Sequence, residues 1–198
     1  MKRAFGFVMS LLAIIILSPI IAIVALTVKF TSPGPILFKQ RRIGKDNVEF
    51  EIYKFRTMRI DTPNVPTHLL ENPEQWITPI GKFLRKTSLD ELPQLFNILK
   101  GEMSIVGPRP SLYNQHDLKE MRTEAGVHTL TPGLTGWAQI NGRDEIPLSL
   151  KVKLDKEYHE RKSHFFDLKI IFMTISSVLK KERVQEGMAD NNNEELFA

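Results

Sequence analysis

Positions 4–28 carry no charge at all, an unbroken apolar stretch that reads as a membrane helix, since about 20 apolar residues cross a hydrocarbon core. Ser18-Pro19 lies in the middle of it. Proline inside a helix lacks the N–H that would reach the carbonyl of Ile15, clashes with that carbonyl, and costs about 3 kcal/mol. In lipid the freed carbonyl needs a new donor, and the Ser18 hydroxyl is the nearest. A break here leaves arms of roughly 22 and 15 Å at about 1.5 Å per residue, neither long enough for a core of about 30 Å. Two courses follow: a helix–break–helix that enters and leaves by one face, or a kinked single-span anchor. Basic residues on both flanks suit the first. A cleaved signal peptide is disfavoured, because no small-x-small site follows the apolar run.

After a stiff Ser-Pro-Gly-Pro turn at 32–35 the pattern changes period. Residues 36–42 and 48–54 predict two strands joined by a turn at 44–47. In the second, Val48, Phe50 and Ile52 alternate with Glu49, Glu51 and Tyr53. Lys54 and Arg56, in the sequence KFRTM, fall on one side of an extended chain. Residues 61–79 hold four prolines and predict a polar loop. Helices are expected over 81–86, over 92–99 with Gly101 as terminator, and over 111–123, 150–161 and 165–181. In the last, Leu168, Ile171, Phe172, Ile175, Val178 and Leu179 share a face. That stripe, with Lys169, Lys180 and Lys181, suits either core packing or a bilayer surface. PGLTGWAQING at 132–142 reads as a Gly-rich loop with a buried tryptophan, and 182–198 as a disordered tail.

Charge sharpens the membrane reading. The net charge of the 198-residue chain is +4, yet residues 1–45 hold seven basic side chains and no acidic one, and the remainder is net acidic. Anionic headgroups account for that placement, at about 1 kcal/mol per juxtamembrane Lys or Arg. A nucleic-acid binder would need a basic stripe on the domain itself, so no nucleic-acid partner is expected. The chain has no cysteine, which excludes disulfides, thiolate nucleophiles and cysteine-based zinc sites.

The candidate chemistry lies in TSLDELPQLFNILKGEMSIVGPRP, residues 87–110. Asp90 and Glu91 are adjacent carboxylates, Arg85 precedes them, and Arg109 sits between two prolines that restrict its backbone. Guanidinium groups grip phosphate oxygens with paired hydrogen bonds. The bland reading is that Ser88-x-x-Glu91 forms a capping box and the acids answer a helix dipole. Pro93 suits a first helical turn, which moves the expected helix start to Asp90 and puts the acids at its mouth. Asp144-Glu145 repeats the dipeptide without flanking arginines and reads as surface. His68, His116, His128, His159 and His164 show no metal-ligand spacing, and dinucleotide-fold and P-loop signatures are absent.

Ser-Pro in the apolar segment, KFRTM, DELPQL, GPRP and PGLTGWAQINGR occur in this order. With them the chain resembles the bacterial sugar transferase family, monotopic polyprenyl-phosphate phosphoglycosyl transferases, over about residues 1–185. The resemblance implies an α+β fold: a re-entrant membrane helix broken at Ser18-Pro19 (1–31), then a small, mostly helical catalytic domain with a short β-hairpin and interfacial helices (32–181). It implies transfer of a sugar-1-phosphate from a UDP-sugar to undecaprenyl phosphate, with release of UMP and use of Mg²⁺. The setting would be the cytoplasmic face of the bacterial inner membrane, at the start of capsule, O-antigen or exopolysaccharide assembly. Asp90 would be the nucleophile, passing through an aspartyl-phosphosugar. Glu91 would help hold Mg²⁺ with Asp90 or assist proton transfer. Arg85 and Arg109 would bind phosphate, with Lys54 and Arg56 as further candidates. The DTPNV and GPRPSLYNQ segments resemble members that handle N-acetylated deoxyhexoses. The charged pair Asp144-Glu145 departs from many relatives and is given no catalytic role. Membrane lipids are implied partners and a homo-oligomer is compatible. The rival is a non-catalytic membrane-anchored scaffold of a glycan assembly complex.

Overall fold

A computed structural model describes residues 2–63, 72–142 and 146–179. The expected tail at 182–198, Lys180 and Lys181, and the pair Asp144-Glu145 lie outside the described residues, as do His68 and the end of the DTPNV segment.

Helix α1 spans Lys2–Thr31 and passes through Pro19 without interruption, where the sequence predicts a break. The local reason is visible. The Ser18 hydroxyl donates to Ile15 O at 2.8 Å, the carbonyl that Pro19 cannot serve. One stripe of α1 lies along the rest of the protein. Val24 and Val28 are buried with Phe55 and Leu84, and Ala13, Ile14 and Leu17 pack on Ile52, Leu95, Ile98 and Met103. Gly6 faces Ile98, and Lys2 Nζ reaches Asp167 Oδ2 at 3.0 Å. This 3.6-period stripe runs roughly 39 Å from residue 2 to residue 28. The opposite face leaves Phe7, Ile15, Ile16, Ile23 and Phe30 exposed.

Strands β1 (Leu37–Ile43) and β2 (Glu49–Phe55) form the expected antiparallel hairpin, each one residue later than predicted, with Gln40 opposite Ile52. Asp46 and Asn47 turn the chain at φ +54° and +61°, a conformation these two residue types tolerate well. The proline-rich segment is not all loop. A 3₁₀ turn forms at Pro73–Trp76, and Thr78 starts helix α2 (Pro79–Thr87) by accepting from Gly81 N at 3.0 Å. Pro79 takes the first helical position, where its missing N–H costs nothing. Helix α3 covers Gln94–Lys100 and ends at Gly101, φ +84°.

Strands β3 (Ser104–Val106) and β4 (Gly133–Thr135) pair in parallel, a ladder the sequence does not announce. Between them α4 (His116–Glu124) begins five residues later than expected, because Ser111 and Leu112 stay extended against the hairpin: Ile43 N donates to Ser111 O at 2.9 Å. Three more helices follow, α5 (Trp137–Ile140), α6 (Leu148–Arg161) and α7 (His164–Leu179). Tyr158 of α6 and Phe166 and Ile170 of α7 close a core on Val106. Phe165, Leu168, Phe172 and Ile175 of α7 remain exposed on one side, so α7 has both a core-facing and an outward apolar stripe. The architecture is α+β and mostly helical, with one short hairpin and an apolar N-terminal helix.

Candidate active site

The acidic pair occupies neither a capping box nor the first turn of α3. Asp90 and Glu91 sit in a 3₁₀ turn, Leu89–Glu91, between α2 and α3. Ser88 takes a left-handed backbone, φ +56°, and closes α2 by donating its N–H to Arg85 O at 3.3 Å; its side chain caps nothing. The helix-capping account of the two carboxylates therefore fails. Asp90 is buried, and Glu91 is half-buried.

Cations from two distant segments meet at Glu91. Lys54 Nζ, at the end of β2, lies 2.8 Å from Glu91 Oε1, and Arg109 Nη1 lies 3.4 Å from the same oxygen. All three side chains are no more than a quarter exposed, so their charges interact in a medium less screening than water. Arg85, on the last turn of α2, donates Nε to Thr57 Oγ1 at 3.1 Å and is thereby held beside the KFRTM segment. Arg56 has a different task. Its guanidinium donates to Pro33 O and Ser32 O, each at 2.7 Å, and to Ser32 Oγ, fastening the exit of α1 to the end of β2. Lys54 and Arg56 share a segment, but only Lys54 touches the acidic pair.

Arg109 is presented by a loop whose backbone is held on every side. Gly107 N donates to Thr135 O and Gly133 N donates to Pro108 O, each at 2.9 Å. The two segments touch backbone to backbone. A Cβ on Gly133 would lie 2.1 Å from Gly107 N, and one on Gly136 2.1 Å from Gly107 O. The Gly-rich PGLTG segment is thus the bed of the GPRP loop, a role its glycines hint at only once Gly107 is known to face them. Arg42 Nη1 donates to Pro110 O at 3.1 Å, and Arg122 Nη1 to Arg109 O at 2.8 Å. Neither arginine stands out in the sequence. Arg122 also bonds Asp155 Oδ2 through Nε (3.0 Å) and Nη2 (2.6 Å), both residues buried. Burial pushes the Asp155 carboxyl above its ordinary value, and the Arg122 guanidinium pulls against that rise. Trp137 is half-buried; its Nε1 donates to Glu157 Oε2 at 2.9 Å, and its ring packs 5.0 Å from Phe166.

A buried carboxylate beside a second one, with a lysine and an arginine drawn onto that neighbour and another arginine close in sequence, is a centre suited to handling phosphate groups. Among the described residues no group of three or more His, Asp or Glu side chains could enclose a metal by itself.

The structure thus shows a protein with a cation-bound carboxylate pair and an apolar N-terminal helix, and sequence comparison gives it a family. The model of the family described as "Bacterial sugar transferase" matches residues 1–181, and the chain belongs to that family. It is 42% identical over 183 residues to "UDP-glucose:undecaprenyl-phosphate glucose-1-phosphate transferase" of Escherichia coli (strain K12), covering 88% of this chain and 39% of that protein. It is 41% identical to "Uncharacterized sugar transferase EpsL" of Bacillus subtilis (strain 168), covering 94% and 91%. It is 36% identical to "UDP-N-acetylgalactosamine-undecaprenyl-phosphate N-acetylgalactosaminephosphotransferase" of Aeromonas hydrophila, covering 90% and 43%. The chain spans about two fifths of the length of the first of these relatives.

Proposed function

We propose that this protein transfers a sugar-1-phosphate from a UDP-sugar to undecaprenyl phosphate and releases UMP, beginning the assembly of a membrane-associated glycan. The observation that carries the reading is the convergence of Lys54 and Arg109 on Glu91, next to the buried Asp90. Family membership and the names of the relatives support the reaction class.

In the proposed reaction an Asp90 carboxylate oxygen attacks the β-phosphorus of the UDP-sugar. The bond from that phosphorus to the bridging oxygen breaks, and UMP leaves with the electron pair. A phosphate oxygen of undecaprenyl phosphate then attacks the same phosphorus, and the Asp90 carboxylate is released. An anion approaching a diphosphate needs cations on the phosphate oxygens; Arg109 and Lys54, both at Glu91, would supply them, with Arg85 as a third. Glu91 holds Lys54 and Arg109 in position before substrate arrives.

Mg²⁺ fits the donor set. It usually binds through one or two carboxylates together with substrate phosphates, and Asp90 and Glu91 offer two carboxylates on one short turn. When bound with the diphosphate it would neutralise phosphate charge. The donor sugar is open between glucose-type and N-acetylated sugars, as the names of the relatives differ on this point.

The membrane course we infer is monotopic, with the catalytic residues facing the cytoplasm of a bacterial cell. Both ends of α1 touch the same domain, Lys2 through Asp167 and Val28 through Leu84. A helix crossing the bilayer upright would drag one of those contacts through the hydrocarbon. The exposed stripes of α1 and α7 would instead rest in the lipid.

The test is UMP release from purified protein given undecaprenyl phosphate, Mg²⁺ and a panel of UDP-sugars, with Asp90→Asn beside the wild type. Release by wild type and none by the variant is the expected result. Equal release by both would remove Asp90 from the chemistry, and no release by either would favour a scaffold.

A further inference from the structure

The PGLTG bed explains where the GPRP loop lies, but not why a buried ion pair sits behind it. Arg122 of α4 and Asp155 of α6 are 7% and 1% exposed. Taking two such charges out of water costs several kcal/mol per ion, and a pair of apolar side chains would hold two helices together as well or better. The pair does something an apolar contact could not. Two of the Arg122 donors fix it to Asp155 Oδ2, and a third, Nη1, is aimed at the carbonyl of Arg109 at 2.8 Å. One helical turn along the same face of α6, the buried Tyr158 hydroxyl has a single proton, which it donates to Asp167 Oδ1 at 2.7 Å; it also accepts from Lys2 Nζ, so it serves the junction of α1 and α7. Helix α6 therefore holds the Arg109 end of residues 106–109 by hydrogen bonds, through Asp155 and Arg122, while Val106 at the other end only packs against Tyr158. Prolines on either side stiffen the segment, so movement of the Arg109 carbonyl is carried to its guanidinium.

We propose that Arg122 and Asp155 are positioning residues for the transfer reaction, acting through Arg109 by fixing the backbone from which its guanidinium reaches Glu91 and the substrate phosphate. The inference rests on the reading of Arg109 as a phosphate-binding residue. Small misplacements matter in such a site: about 1 Å can cost about 100-fold in rate.

A double-mutant cycle separates positioning from general support of the fold. Full-length Arg122→Lys and Asp155→Asn are each made alone and together with Arg109→Lys, and kcat and KM are measured by UMP release with the UDP-sugar that the wild type turns over. Arg122→Lys keeps the charge opposite Asp155 but loses the planar fork that reaches both Asp155 and the Arg109 carbonyl. Arg109→Lys alone is expected to lower kcat/KM by at least about tenfold, and Arg122→Lys by about 10- to 100-fold. The doubly substituted protein should be no worse than about twofold below the weaker single variant, because both changes remove the same aimed guanidinium. Asp155→Asn, which keeps an oxygen acceptor for Arg122 but not the charge, should cost about fivefold alone and nothing further once Arg109 is lysine. Losses that multiply would overturn the positioning role while leaving Arg109 as a phosphate ligand. Full activity in Arg109→Lys would overturn the ligand reading and the positioning role with it. If Arg122→Lys does not yield folded protein, the Asp155→Asn cycle decides by the same criterion.

Discussion

Lys54 Nζ lies 2.8 Å from Glu91 Oε1, although 37 positions separate the two residues. The hairpin carries the lysine, the 3₁₀ turn after α2 carries the acid, and the GPRP loop adds Arg109 to the same oxygen at 3.4 Å. Three segments with no local reason to meet thus share one carboxylate. Glu91 is in this sense the keystone of the proposed phosphate site, with the buried Asp90 next to it on the same turn.

Removing one of the two cations should therefore affect rate more than stability. Hydrogen bonds to charged groups contribute about 1.5–3 kcal/mol, and about 1.4 kcal/mol is a factor of ten in rate. Lys54→Met keeps most of the apolar stem and is expected to lower kcat/KM about 10- to 100-fold, while the thermal midpoint shifts by only a few degrees. Steady-state UMP release and a melting curve on the same preparation check both halves. Unchanged kinetics would mean that Lys54 only balances charge in the resting protein.

Much of this was legible in the sequence because it is local. The uncharged run of α1, the alternation in β2 and the adjacency of Asp90 and Glu91 announce themselves within a few residues. What was not legible depends on partners far along the chain. Strands β3 and β4 are three residues each and acquire meaning only by pairing with one another, so neither shows a period-2 pattern. The glycines at 107, 133 and 136 look like ordinary loop punctuation until their backbones are placed in contact. Arg56 shares the KFRTM segment with Lys54, and only the turn at Ser32–Pro33 separates their roles. Ser88-x-x-Glu91 matched a capping box by letter, yet the left-handed Ser88 backbone spends that residue on ending α2.

The Trp137–Glu157 bond gives the bed of the GPRP loop a pH signature. The Trp137 N–H, and after it Arg161, hold the Glu157 carboxyl below its ordinary value of 4.5. Its contribution to stability is thus fully present above pH 4.5 and is lost as pH falls through the lower, folded-state value. Glu157 is about a third exposed, so solvent screens the effect to at most about 1 kcal/mol. In a Trp76→Phe background, Trp137 emission should change with a midpoint below pH 4.5, and Glu157→Gln should abolish that transition. A midpoint at or above 4.5 would show that the bond does not persist in solution.

The course of α1 through lipid can be tested directly because the chain has no cysteine to remove. Ala4 and Thr31 lie at opposite ends of the helix and are both exposed. Single substitutions Ala4→Cys and Thr31→Cys, in sealed vesicles of known orientation, report the side of each end through a membrane-impermeant maleimide. Contacts from Lys2 to Asp167 and from Val28 to Leu84 tie both ends to one domain, so both cysteines should be labelled from the side on which that domain lies. Labelling from opposite sides would require one of those contacts to break on insertion. It would make α1 a spanning anchor, with Pro19 inside a single continuous crossing. Pro19→Ala adds the missing N–H to the Ile15 carbonyl and frees the Ser18 hydroxyl from that bond. Because α1 runs unbroken through Pro19 and packs on the domain along its length, this variant should leave the labelling as it is in the wild type. Movement of the two cysteines to opposite sides would show that the proline, not the packing, sets the course of the helix.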